Sequence, residues 1–401
     1  MKRVLASVPS YLLAVSLLLL SGCGGSGDSN STSTTGGGGG ASGDVIKLAV
    51  CGPMTGSGAA FGEMIKMGAQ LKADEINASG GIDGRKVVLS IEDDKGAPSE
   101  TTSVARKVAA DKSICLVIGH FNSACSNTAK SEYNRKGVVQ FSPGSTNVGV
   151  CVGSPWTFRN LYRDDYQGTF LAQYAQKILG LKKVAILYDN DDYGKGLMKA
   201  FKAEADGIGL AVVEPIPYMR ERTQDFKPLV SRANEDGIDG IFISGLHNEA
   251  ALIAKAAVND LGLKVAILGG DGVMSEELIK LAGPAAEGMY VSTPFLFNTG
   301  NDSEAATTFL QSFEKKYEVA PDTWAALTYD AVGMALVGVS EVGTERTKLK
   351  DWFAACTTAE KGYTGVTGNT FFDKEGDCYS KGAHVAIVKD SGFVPAPKQM
   401  Q

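Results

Sequence analysis

Three histidines, seven cysteines and a handful of hydroxyls and carboxylates at strand ends are the side chains of this 401-residue chain that could do chemistry. Catalysis needs activated groups within hydrogen-bond reach of one another. His120 and His247 fall at the ends of strand-like runs, but no GxSxG elbow, HExxH or catalytic-cysteine signature accompanies them, and the chain does not read as an enzyme. No CxxC pair and no histidine cluster offers a metal site, and no cofactor motif is present. What remains suits binding. Ser123 stands where a helix begins, just after the apolar run Leu116–Gly119. Its hydroxyl and the free backbone N–H groups there suit a carboxylate, and equally suit a plain helix N-cap. Asp271, in Gly269-Gly-Asp-Gly-Val, can be the acid of an Asp-Gly turn or a counter-charge for a cation.

Elements of alternating type position these groups. Short apolar strands at Leu116–Gly119, Val138–Phe141, Val184–Tyr188, Ala211–Ile216, Gly240–Ser244, Val265–Leu268 and Gly288–Thr293 are separated by helical stretches. This βα rhythm predicts parallel sheets with helices on both faces. Ligands of such sheets sit beyond the carboxyl ends of the strands, where Ser123, Thr146 and Asp271 all lie.

The opening of the body carries more specific information. It reads Ile46-Lys-Leu-Ala-Val-Cys-Gly-Pro-Met-Thr-Gly-Ser-Gly-Ala-Ala-Phe-Gly, then a helix to Asn77, then Gly80-Gly-Ile-Asp-Gly-Arg-Lys-Val-Val-Leu and Asp93-Asp94. Gly52, Gly56 and Gly58 allow that loop a close approach to a ligand. It lacks the GxGxxG order and any GKS or GKT of nucleotide folds. The arrangement resembles the type I periplasmic binding proteins, in the leucine/isoleucine/valine-binding branch, and the resemblance runs from Val45 to Phe393.

That resemblance implies an α/β fold of two Rossmann-like lobes joined by a three-strand hinge. The implied lobes are 44–162 plus 294–383 and 163–293 plus 384–401, with crossings near Tyr162, Pro294 and His384. It implies a receptor of an ATP-driven importer that closes on a small-molecule amino acid and delivers it to permease subunits in the membrane, with no cofactor. Ser123, Gly144 and Thr146 would hold the ligand carboxylate, and Asp271 its ammonium; Thr146 read locally is a loop turn. Phe61, Tyr193, Leu246 and Trp324 would line the side-chain pocket, although any of these could be core residues. Leu246 replaces a tyrosine of the leucine/isoleucine/valine binder. Relatives of the family also bind amides, urea and aromatic carboxylates, and a sensor would use the same closed form.

Both ends of the composition fit an exported, anchored monomer. Lys2 and Arg3, the apolar run Leu12–Leu20 and Leu20-Ser21-Gly22-Cys23 make residues 1–23 a lipoprotein signal with a lipobox, Cys23 being the lipidated residue. The alternative is an ordinary secretory peptide with a stray cysteine. Residues 24–43 are almost all Gly, Ser, Thr and Asn, a tether with an end-to-end reach of roughly 25 Å. No later stretch reads as long and apolar enough to span a bilayer, which places the body in the periplasm or at the cell surface on a lipid anchor. A net charge of −6 without a basic, aromatic-interleaved patch argues against nucleic acid. Six cysteines remain beyond Cys23; Cys356–Cys378 and Cys125–Cys151 are the expected disulfides, with Cys51 and Cys115 as small strand hydrophobes.

Overall fold

The computed structural model describes residues 45–400 apart from 236 and 301. The signal segment 1–23 with Cys23, and the tether 24–43, lie outside the described residues.

Two sheets organise the body. The first contains β1 (Ile46–Gly52), β2 (Val87–Asp93), β3 (Ile114–Ile118), β4 (Val139–Ser142) and β5 (Thr157–Arg159), in the order β2-β1-β3-β4-β5. All its pairings are parallel. β1 and β3 are almost wholly buried apolar runs, as parallel strands covered on both faces must be. The second sheet is built from β6 (Lys183–Asp189), β7 (Ala211–Val212), β8 (Ile216–Tyr218), β9 (Gly240–Ser244), β10 (Ala266–Gly269) and β11 (Tyr290–Thr293). A small antiparallel hairpin, β12 (Tyr363–Gly365) and β13 (Gly368–Thr370), stands apart. The chain then returns to the second sheet as β14 (His384–Lys389) and β15 (Gly392–Pro395), which extend it antiparallel beside β11. The second sheet is therefore mixed rather than purely parallel. Its predicted strand Ala211–Ile216 is two short pieces, both paired to β6, because the chain steps along that edge.

Three passages connect the sheets: after β5, after β11 and before β14. The largest hydrophobic cluster runs through both, from Leu48, Val50 and Leu116 to Val184, Ile186, Phe242 and Leu268. Helix Ala59–Ala78 packs against helix Thr323–Val342 so closely that a Cβ on Gly68 would lie 2.2 Å from the Ala325 carbonyl oxygen. Helix Thr323–Val342 is long and apolar enough to cross a membrane, which corrects the sequence expectation of no such stretch after the signal segment; 72% of its most apolar window is buried, and it is a core helix.

Neither expected disulfide forms, and all six described cysteines are free and buried. Phe372 explains the first pair. Its backbone N–H donates to the Cys356 carbonyl, while its other side pairs with Cys378 in an antiparallel bridge. Phe372 thus stands between the two cysteines, whose sulfurs bond elsewhere, Cys356 Sγ to the Trp352 carbonyl at 3.3 Å and Cys378 Sγ to Ser380 Oγ at 3.2 Å. In the second pair, Cys151 donates to the Gly376 carbonyl at 3.5 Å, while Cys125 is buried on helix Ser123–Lys136. Burial pushes the Cys115, Cys151 and Cys356 thiols up to about 12, so they stay protonated at neutral pH.

Candidate functional site

The loops after β3 and β4 meet through a serine network. Ser142 Oγ donates to the His120 carbonyl at 2.7 Å, and Ser145 Oγ lies 2.8 Å from the Phe121 carbonyl and 2.7 Å from Ser126 Oγ. Arg159 Nη1 holds the Ser145 carbonyl from below at 3.0 Å. His120 faces away from the cleft: Nδ1 is 2.6 Å from Asp94 and Nε2 is 3.1 Å from the Tyr133 hydroxyl, all fully buried. It braces the loop that carries Phe121, Asn122 and Ser123.

A small cavity lies between these loops and the ends of β9 and β10. Its volume is about 20 Å³, room for little more than one water. Ser123 and Gly144 line it from the first sheet, with Phe121 and Asn122. From the second sheet come Tyr193, Leu246, Asp271 and Gly272, with Asp191 and Arg220, and Trp324 closes one side. A groove of about 650 Å³ elsewhere contains none of the residues singled out from sequence.

Of the sequence-predicted residues, the cavity unites Ser123, Gly144, Asp271, Tyr193, Leu246 and Trp324. Ser123 is the first helical residue rather than the N-cap; that position falls to Asn122, whose side chain caps nothing. The Ser123 hydroxyl accepts from Asn147 N at 3.2 Å. Gly144 has to be glycine, since a Cβ would lie 2.3 Å from the Phe121 ring. Phe61 and Thr146 do not line the cavity. Phe61 sits one layer back, stacked on Phe121 at 4.6 Å and edge-on to Trp324 at 6.1 Å. Thr146 is buried with an unpartnered hydroxyl, its carbonyl receiving Asp164 N at 2.8 Å. The glycine loop after β1 does not reach the cavity either. Gly62 lets it pack on its own helix, as a Cβ there would meet the Pro53 carbonyl oxygen at 2.2 Å.

Electrostatics concentrate on Asp271. Tyr193 donates its hydroxyl to Asp271 Oδ1 at 2.8 Å and receives Gly272 N at 3.0 Å. Oδ2 is buried without a partner among the described residues. Burial raises the Asp271 carboxyl to about 6, against the pull of the tyrosine bond. Asp164 was missed from sequence. It is fully buried with neither carboxylate oxygen partnered, and burial, then the Asp271 charge, hold it well above the usual range. His247 is pushed down to about 4 by burial and is neutral at physiological pH.

Asp191 and Arg220 were missed as well. Arg220 Nε bonds Asp189 at 2.6 Å and one of its Nη atoms bonds Asp191, which also caps the helix Asp192–Ile208 through Gly194 N. Asp191 lies two residues before Tyr193. Arg220 follows the three-residue strand β8 and gave no periodic signal.

Bonds across the cleft hold the two sides together. Trp324 Nε1 donates to the Met274 carbonyl at 3.0 Å, and Asn248 Nδ2 to the Ser57 carbonyl at 2.9 Å. Asn127 and Asn147 both reach Asp192, at 2.8 Å and 2.7 Å. Ser57 also bonds Glu221. One prediction follows from Asp271. Carbon-detected NMR titration of the ligand-free protein should place its carboxyl near 6, and Tyr193→Phe should move it higher, because a bond to the charged form is lost. An unchanged value in the variant would contradict the assigned hydrogen bond.

The chain is similar to known proteins over most of its length. Residues 45–392 match the family described as periplasmic binding protein. A Leu/Ile/Val-binding protein homolog of Brucella suis is 33% identical over 331 residues, covering 81% of this chain and 85% of the relative. The crystal structure of a leucine-binding protein, LivK, from Thermotoga maritima superposes with a TM-score of 0.82 at 30% identity, over 88% of this chain and 98% of that one. The branched-chain amino acid transporter substrate-binding protein LivJ of Streptococcus pneumoniae, in complex with isoleucine, gives 0.80 at 29% identity, over 87% and 97%.

Proposed function

This chain belongs to the periplasmic binding protein family, and from that premise we propose that it captures an α-amino acid between its two sheets and delivers it to the permease of an ABC importer. The single observation that carries the reading is the opposition across one cavity of Ser123, at a helix start, and the buried Asp271 carboxylate. Helix N–H groups and hydroxyls favour a carboxylate, and an unpartnered carboxylate oxygen favours an ammonium. A zwitterion satisfies both at once. Gly144 backbone would complete the carboxylate side, with Thr146 one step behind. Phe121, Leu246 and Trp324 would receive the aliphatic part of the side chain, backed by Phe61, and Tyr193 would orient Asp271. Leucine, isoleucine and valine, the ligands named for relatives, are the first to test.

Calorimetry on protein freed of ligand should show binding of at least one of these, and Asp271→Asn should weaken it by about 2–5 kcal/mol, the cost of stripping one partner from a buried charge pair. Ser123→Ala should cost only about 0.5–1.5 kcal/mol. Full affinity in Asp271→Asn would remove the ammonium role.

Two lobes, 44–162 plus 294–383 and 163–293 plus 384–401, would open and close about the three passages between sheets. The cavity is too small to admit an amino acid without that motion. Because the two ends of the ligand bind different lobes, the ligand favours the closed state. Small-angle scattering should give a smaller radius of gyration at saturating ligand; an unchanged radius would exclude the clamp.

The body would work as a monomer on the outer side of the membrane, tethered through a lipid on Cys23. Cys23→Ser should shift the processed protein from membranes to the soluble extracytoplasmic fraction. Retention of the processed variant on membranes would place the anchor elsewhere.

A further inference from the structure

The cavity wall contains a group that a hydrocarbon side chain cannot satisfy. Arg220 reaches it from the end of β8, held through Nε by Asp189 and through one Nη by Asp191. Its other Nη makes no hydrogen bond among the described residues, although only 18% of the side chain is exposed. Asp191 lies in the same wall and keeps spare lone pairs beyond its two bonds. Asn122 lines the cavity from the opposite loop; its Oδ1, which lies close to Gly96, is buried without a partner among the described residues. Arg220, Asp191 and Asn122 thus bring polar groups into the same cavity lining as the apolar Leu246 and Trp324.

Charge narrows the choice. One guanidinium faces three carboxylates, Asp189, Asp191 and the buried Glu249, so no surplus positive charge awaits an acidic side chain. A basic side chain, which has only donors, can bond Asp191 but leaves the free Arg220 Nη unanswered. A hydrocarbon end would expel water from Arg220 and Asn122 and return nothing, leaving buried polar groups unpaired. An uncharged group that both accepts and donates meets all three conditions: its oxygen takes the free Arg220 Nη, and its N–H takes Asp191. Building on the amino-acid-binding reading above, we propose that Arg220 is a specificity-determining residue and that the preferred ligand is an amino acid whose aliphatic stem ends in a carboxamide.

Calorimetry on the full-length protein, stripped of ligand, with glutamine, asparagine, leucine and glutamate tests this. Glutamine or asparagine should bind about tenfold or more tightly than leucine, and glutamate more weakly than glutamine. Arg220→Met should lower the carboxamide-to-leucine affinity ratio by about tenfold. Because that change strands Asp189 and Asp191, Arg220→Lys serves as a second variant; it keeps the charge, loses the fork, and should also lower the ratio while melting like the wild type. Leucine binding more tightly than both carboxamides to the wild type would overturn the proposal while leaving amino-acid capture intact, and so would a ratio unchanged in both variants. Tightest binding of glutamate would overturn the charge argument. Silence with all four, together with the other amino acids, would overturn amino-acid capture itself and this proposal with it.

Discussion

A carboxylate kept out of water with only half its oxygens engaged is the constraint on which the cleft depends. Asp271 Oδ1 has Tyr193, and Oδ2 has no partner. The neighbouring residues are chosen around that geometry. A Cβ on Gly270 would sit 2.6 Å from the Tyr193 hydroxyl, and one on Gly272 would sit 2.8 Å from both the Tyr193 ring and Leu246. Glycine at both places lets the phenol come close enough to hold the acid. Burial, and then the Asp271 charge, hold the carboxyl of the fully buried Asp164 well above the usual carboxylate range, which weakens it as a second negative pole beside Asp271. A closed cleft with that pole unanswered is strained electrostatically. In the proposed clamp, a ligand ammonium would answer that pole only with the two sides together, which would tie recognition to movement.

The first-sheet side reaches rigidity by a different route. Ser142, Ser145 and Ser126 knit two loops to the backbone of His120 and Phe121, and His120 is itself clamped between Asp94 and Tyr133. These hydroxyls have no room for water and nowhere else to bond. The loop that presents Ser123 is therefore set before any ligand arrives, and little ordering entropy remains to be lost there.

Sequence made the alternation of strands and helices plain, because buried parallel strands such as Leu116–Ile118 are unbroken apolar runs. It also showed the loops that matter, since they follow strand ends. What it hid has physical causes. β7 and β8 are too short for periodicity, so Arg220 looked like one more surface charge. Phe61, in the first turn of helix Ala59–Ala78, and Thr146, in the loop after β4, sit one layer deep, a distinction that side-chain direction decides and spacing does not. Phe372 stands between Cys356 and Cys378, and no count of cysteines reveals the strand that keeps two of them apart. The apolar helix Thr323–Val342 matches a membrane span in composition; the close packing of Ala325 against Gly68 shows what covers it.

Trp324 gives the molecule an optical property. Of the three tryptophans, Trp156 packs beside Gly137 and Trp352 bonds Glu341, both on the first-sheet side. Trp324 alone among them reaches across, its indole N–H on the Met274 carbonyl and its ring 4.9 Å from Phe121. Parting the two sides breaks that bond and wets the ring, while the other two indoles keep their surroundings. In the proposed clamp, the emission spectrum of the unlabelled protein would thus contain an intrinsic gauge of the cleft, red-shifted when open and blue-shifted when shut.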